Sequence, residues 1–62
     1  MSKLEKLFRR KEVERITGLT RSTIYAKMDK NEFPKPVRVG KRAVAWKESD
    51  IDKWIKSRMY VI

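Results

Sequence analysis

The side chains that carry the clearest chemistry lie at the start of a predicted helix that begins near residue 20. Arg21, Ser22 and Thr23 fall in its first turn, and Tyr25 and Lys27 follow. An arginine guanidinium can donate two hydrogen bonds to O6 and N7 of guanine, while serine and threonine hydroxyls can bond bases or phosphates. We therefore predict that these five residues contact DNA, with Arg21 as the first candidate for reading a base. The alternatives are phosphate contact alone for Arg21, helix capping for Thr23, and packing on the neighbouring hairpin for Tyr25.

A second group of cations lies in and beside the segment PVRVGKRAVAW, residues 36–46. Arg38, Lys41 and Arg42 stand close to its glycine, and Lys35 precedes it. The tip of a hairpin with such residues can enter a narrow minor groove, which attracts arginine, or can hold phosphates. The alternative is a solvated hairpin, because lysine on an edge strand discourages aggregation. We include these four residues among the predicted DNA contacts.

The composition excludes several kinds of chemistry. The chain has 62 residues and contains neither cysteine nor histidine, so it cannot form disulfides and lacks the usual zinc ligands. The commonest general base and the thiol nucleophile are missing as well. The acidic residues Glu48, Asp50 and Asp52 are better explained by the start of a helix, where negative charge is favourable. We expect no enzyme activity, no metal and no cofactor.

The net charge points to a polyanionic partner. Seventeen Lys and Arg face eight Asp and Glu, which gives +9 at neutral pH, and a balance of this kind favours nucleic acid. No apolar run approaches the roughly 20 residues of a membrane span, and MSKLEKLF lacks the apolar core of a secretory signal. The length predicts one domain over residues 1–62, with residues 1–7 mobile.

Two short helices joined by a tight turn are predicted in the first half of the chain. In RKEVERITG, Gly18 suits the left-handed position that ends a helix. In TRSTIYAKMDKNE, the Thr20 hydroxyl can cap the helix start, and Asn31 can end it in a left-handed conformation. The residues expected to face inward are Val13, Ile16, Ile24 and Met28. This order is a helix-turn-helix.

A β-hairpin and a third helix are predicted to follow. Gly40-Lys41 as a two-residue type II′ turn gives the pairs Val39–Arg42, Arg38–Ala43 and Val37–Val44. This register places Val37, Val39, Val44 and Trp46 on one apolar face, whereas a three-residue loop would pair Arg38 with Val44 and mix the faces.

In ESDIDKWIKSRM, Ser49 and Asp52 resemble a capping box. An inward stripe is expected from Ile51, Trp54, Ile55 and Met59. For the segment KLFRR, both a helical turn and a short strand are possible. For the apolar tail MYVI, the alternatives are packing on the domain and self-association.

The pieces TGLTRSTIY, FPKPVRVGKRAVAW and ESDIDKWI, in this order and spacing, resemble the AlpA family of phage and prophage regulators. The resemblance spans about residues 8–59. It implies a small α+β fold, the winged helix-turn-helix, with the hairpin as the wing. Glu14 departs from the general helix-turn-helix pattern, which prefers alanine there, and agrees with the shorter turn of MerR-related proteins.

The resemblance also implies function and partners. Family members bind double-stranded DNA as transcriptional regulators, or as excision factors that act beside an integrase and bend DNA in the bacterial cytoplasm. We expect the same partners here, together with cooperative self-association on DNA, since one motif this small binds weakly alone. The competing interpretation is a basic protein-interaction module that contacts an integrase or another acidic partner. RNA binding is less favoured, because the chain lacks a sheet with stacking aromatic residues.

Overall fold

The computed structural model describes residues 4–58 and 61. The elements follow in the order β1 (Leu7–Phe8), α1 (Arg10–Thr17), α2 (Arg21–Asp29), β2 (Val37–Arg38), β3 (Val44–Lys47) and α3 (Glu48–Lys56). The strands form an antiparallel sheet in the order β1-β3-β2. This is the predicted small α+β, winged helix-turn-helix architecture, in which the wing is the hairpin of β2 and β3. Strand β1 was not predicted to belong to this sheet.

The helix-turn-helix forms where the local signals place it. Gly18 adopts φ +76° and its N–H donates to the Glu14 carbonyl, which ends α1. Thr20 caps α2, since its hydroxyl oxygen accepts from the Thr23 N–H at 3.3 Å. Asn31 has φ +58° just after α2. Each of these three signals was predicted correctly, because each depends only on neighbours in the chain.

A small aromatic and aliphatic core holds the elements together. It consists of Val13, Ile24, Phe33, Trp46 and Ile51. The Phe33 ring packs edge-on against Trp54 and Trp46, with centroids 4.9 and 6.4 Å apart. Ile16 and Ile55, which were predicted to face inward, are about 40% exposed. Each of the three helices has one buried residue, namely Val13 on α1, Ile24 on α2 and Ile51 on α3.

The linker between α2 and the wing is fixed by both tryptophans. The Trp46 indole Nε1–H donates to the Pro34 carbonyl at 2.8 Å, and the Trp54 Nε1–H donates to the Glu32 carbonyl at 2.9 Å. Because the linker has no regular secondary structure of its own, these bonds satisfy carbonyls that would otherwise depend on water. Residues 32–34 are thereby tied to both β3 and α3.

The predicted register of the wing is wrong. Val37 pairs with Ala45 and Arg38 with Val44, and the Ala43 N–H closes a turn on the Gly40 carbonyl. The turn therefore centres on Lys41 and Arg42. The sequence argument assumed that one face of the hairpin is solvated, but Ala45 and Trp46, which point to opposite faces, are both buried. Val39 lies outside the core and is 43% exposed.

The N-terminal segment is bonded to the start of α3. Leu7 pairs with Lys47 and Phe8 with Trp46, and the Glu48 N–H donates to the Lys6 carbonyl at 2.8 Å. KLFRR thus contributes a strand rather than a helical turn. The mobility predicted for residues 1–7 stays a prediction, and residues 1–3 of this segment lie outside the described residues.

A carboxylate from the N-terminal segment caps α3. Glu5 Oε1 accepts from the Ser49 N–H at 3.0 Å and from the Ser49 hydroxyl. Lys47 occupies the N-cap position without a side-chain bond, so the predicted Ser49–Asp52 capping box is wrong. Asp52 instead pairs with Lys56 at 3.0 Å. Sequence reasoning missed Glu5 because the cap lies 44 residues away in the chain.

This cap predicts a pH dependence of stability. Hydrogen bonds from the Ser49 side chain and backbone hold the pKa of Glu5 below its ordinary value. The stabilisation is present above the unfolded-state pKa of about 4.3 and is lost as the pH falls through the lower folded-state pKa. Glu5→Gln should therefore lower the melting temperature slightly at pH 7, and the difference from the parent should shrink at pH 3.

Glu32→Gln is the matched control, because it neutralises an exposed glutamate side chain that does not cap a helix, while the backbone carbonyl that bonds Trp54 stays in place. Thermal unfolding, followed by circular dichroism, measures the melting temperature of both variants at each pH. An equal effect of the two variants at pH 7 contradicts a specific role of Glu5.

Candidate nucleic-acid interface

The first turn of α2 presents two exposed side chains and uses a third internally. The Thr20 hydroxyl donates to Thr23 Oγ1 at 3.0 Å, and the Thr23 N–H closes the cap in return. Thr23 is half-buried and takes part in the cap, while its contact with DNA stays a prediction. Arg21 and Ser22 are exposed beside it, with their side chains available at the helix start.

Arg21 lies against an aromatic ring on its own helix. Its guanidinium carbon is 5.8 Å from the centroid of the Tyr25 ring, at the outer limit of a cation–π contact. Tyr25 is 37% exposed, and both side chains line one open cleft. A stacked guanidinium keeps its N–H groups free to donate in the plane of the group.

The tip of the wing carries two of the predicted cations. Lys41 and Arg42 are exposed at the centre of the turn. Arg38 does not point freely outward, since its Nη1 donates to the Lys41 carbonyl at 2.9 Å. Arg38 therefore braces the turn that presents the two tip residues, a role that the sequence did not suggest.

One cleft joins the start of α2 to the wing. Three predicted residues line it: Arg21, Tyr25 and Arg42. The other six predicted residues do not line it: Ser22, Thr23, Lys27, Lys35, Arg38 and Lys41. Lys27 is half-buried on α2, and Lys35 is exposed on the linker.

The remaining cations of the cleft were missed. Arg9, Arg10 and Lys11, at the start of α1, line it together with Val44. A usable signal was present: the run RRK stands at the N-terminus of a helix, where the helix dipole disfavours positive charge. Arg10 is partly neutralised by Glu14 at 3.0 Å. Arg9 and Lys11 form no ion pair with any residue among 4–58 and 61.

The chemistry that the cleft offers is that of positively charged side chains. Within the part of the chain that the structure describes, no three Asp or Glu side chains are grouped so that they could hold a metal ion. None of the helices described has the length and apolar character to cross a bilayer. The concentration of guanidinium and ammonium groups in one cleft suits an extended anion.

A family model described as prophage CP4-57 regulatory protein (AlpA) matches residues 6–59, which includes every element of the fold. The chain belongs to the AlpA family. Family members are DNA-binding regulators and not enzymes, and the resemblance of TGLTRSTIY, FPKPVRVGKRAVAW and ESDIDKWI to this family is confirmed.

Two relatives are similar to the chain over most of its length. The uncharacterized protein ORF88 of Enterobacteria phage P4 is 42% identical over 55 residues, which cover 89% of this chain and 62% of the relative. The DNA-binding transcriptional activator AlpA of Escherichia coli K12 is 35% identical over 52 residues, which cover 74% of each chain. The chain thus spans somewhat less than two thirds of the phage P4 relative and about three quarters of the E. coli one.

Proposed function

We propose that this AlpA-family chain is a sequence-specific double-stranded DNA-binding protein that regulates transcription in a phage or prophage. Helix α2 acts as the recognition helix in the major groove, and the wing contacts the adjacent groove or backbone. The observation that carries the proposal is the cation-lined cleft that joins Arg21 at the start of α2 to Arg42 at the wing tip. Helix-turn-helix proteins place the first residues of the second helix nearest the base edges.

Charge and kinship support the same conclusion. The net charge of +9 favours a polyanion, and the E. coli relative is named as a DNA-binding transcriptional activator. Four further predicted contacts, Ser22, Lys27, Lys35 and Lys41, do not line the cleft. They are proposed to hold phosphates that flank the base contacts and to fix the orientation of the protein.

The experiment is a comparison of specific and scrambled duplexes. Footprinting on the DNA that neighbours the gene identifies the site, and fluorescence anisotropy measures affinity at several salt concentrations. About six phosphate contacts would give a slope of log K against log salt near −5. Absence of duplex binding at low salt would exclude the proposal and favour a protein-interaction module.

The wing gives a separate prediction. Lys41→Ala and Arg42→Ala should each weaken binding to specific and scrambled duplexes by similar factors and reduce the salt slope by about 1, because phosphates carry no sequence information. Lys53→Ala removes the same charge from α3 and serves as the control. If Arg42→Ala changes the preference for A·T over G·C pairs instead, the tip reads the minor groove.

An excision role is the finer part of the proposal. An excision factor would bind repeated sites near an attachment site, bend the DNA and act with a phage integrase. Cooperative self-association through the tail MYVI belongs to this role. Of the tail, Val61 is described and is 99% exposed, while residues 59, 60 and 62 lie outside the described residues. Circular-permutation gels measure bending, and noncooperative binding to tandem sites would exclude the assembly.

A further inference from the structure

The start of α1 carries a set of cations that the proposed recognition helix and wing do not account for. Arg9 and Lys11 are exposed and Arg10 is half-buried, and all three line the cleft that holds Arg21 and Arg42. The positive end of the helix dipole disfavours cations at this place. Arg9 occupies the N-cap position but makes no side-chain capping bond. Helix formation therefore gives no reason for Arg9 and Lys11, whereas Arg10 pairs with Glu14 within α1.

The charges in this cleft are poorly compensated within the molecule. Five cations line it, and the one that pairs with a carboxylate is Arg10, which contacts Glu14 at 3.0 Å. The side chains of Arg9, Lys11 and Arg42 have no ion-pair or hydrogen-bond partner among residues 4–58 and 61. Like charges gathered in this way repel one another unless an anion lies between them.

The distribution of the cations identifies the kind of anion. They come from three elements, since Arg9 and Lys11 lie at the start of α1, Arg21 on α2 and Arg42 on the wing. A small anion contacts one or two such groups, whereas a nucleic-acid strand places successive phosphates along the cleft. The first helix of a helix-turn-helix also crosses the DNA backbone.

We propose that Arg9 and Lys11 form a third DNA contact, a backbone clamp that holds phosphates of the strand passing between the recognition helix and the wing. The clamp rests on the proposed function, because it needs bound duplex DNA. It assigns a binding role to residues outside both the recognition helix and the wing. Arg10 contributes less, since Glu14 already compensates its charge.

The test is the double variant Arg9→Gln/Lys11→Gln, with Lys53→Gln/Lys56→Gln as the control. Both remove two positive charges, but the control residues lie on α3, outside the cleft. We expect the clamp variant to reduce the salt slope by about 2, or about 1 per lost phosphate contact. Its preference for specific over scrambled duplex should stay unchanged, and the control should keep the parental slope. Thermal melting verifies folding, and the clamp variant should melt no lower than the parent.

Duplexes with single methylphosphonates locate the contact. Neutralising a phosphate that the clamp holds should lower the affinity of the parent protein for the duplex. The same substitution should leave the affinity of the clamp variant unchanged. If the parent binds the duplex and the clamp variant matches the α3 control in slope and in methylphosphonate response, the clamp is excluded while the proposed function stands. If the parent binds no duplex, the proposed function is excluded, and the clamp is excluded with it.

Discussion

Replacing Trp46 with alanine is expected to remove a large part of the free energy of unfolding. The side chain is 0% exposed and packs against Phe33, and truncation of a buried tryptophan costs about 3–5 kcal/mol. A chain of 62 residues has a total stability of only about 3–9 kcal/mol. Urea unfolding followed by circular dichroism measures the loss.

Two further variants separate the parts of this effect. Trp46→Phe keeps an aromatic ring but removes the Nε1–H that bonds the Pro34 carbonyl, so it should cost about 1–3 kcal/mol. Trp54→Phe removes the bond to the Glu32 carbonyl at a half-buried position and should cost less than Trp46→Phe. The expected loss for a buried tryptophan is about 3–5 kcal/mol of the free energy of unfolding. If Trp46→Ala lowers that free energy by less than about 1 kcal/mol, the core does not depend on this residue.

Arg21→Ala should relax the sequence preference of DNA binding. The side chain is exposed at the first position of α2, beside Tyr25 and within the cleft. A bidentate contact with guanine is worth about 1–3 kcal/mol of discrimination, so the specific duplex should lose roughly 5- to 150-fold in affinity. The scrambled duplex should lose much less. Competition anisotropy with the two duplexes measures both values.

Arg15→Ala is the matched control for Arg21→Ala. Arg15 is an exposed arginine near the end of α1, paired with Glu12 and outside the cleft, and its loss should leave specificity unchanged. Equal weakening of specific and scrambled duplexes by Arg21→Ala would assign Arg21 to phosphate. If specificity survives in this variant and disappears in Arg42→Ala, the roles of α2 and the wing are reversed.

The features predicted correctly are those that neighbouring residues determine. Gly18 ends α1 and Thr20 caps α2 because each interaction closes within four residues of chain. The buried positions Val13, Ile24 and Ile51 follow from helical periodicity. The hairpin was predicted from its glycine turn and flanking valines, and the family resemblance, whose motifs cover almost the whole chain, agrees that it is the wing.

The features that sequence reasoning missed depend on contacts between distant segments. The register of the wing depends on which faces of β3 are covered, and β3 packs against both α1 and α3. Pairing of β1 with β3 joins residues about 40 apart in the chain. The Glu5 cap and the contribution of Arg9 and Lys11 to the cleft arise in the same way. Sequence rules that consider only neighbouring residues cannot predict such contacts.

The bonds that tie residues 32–34 to both tryptophans affect the entropy of binding. The linker joins α2 to the wing, and its carbonyls at Glu32 and Pro34 are held by α3 and β3. Under the proposed function, α2 and the wing are two DNA-contacting surfaces on a fixed linker. They would act at high effective concentration, so engagement of the first would leave little freedom to be lost by the second. The same fixed geometry would make the protein intolerant of altered spacing between the two contacts on DNA.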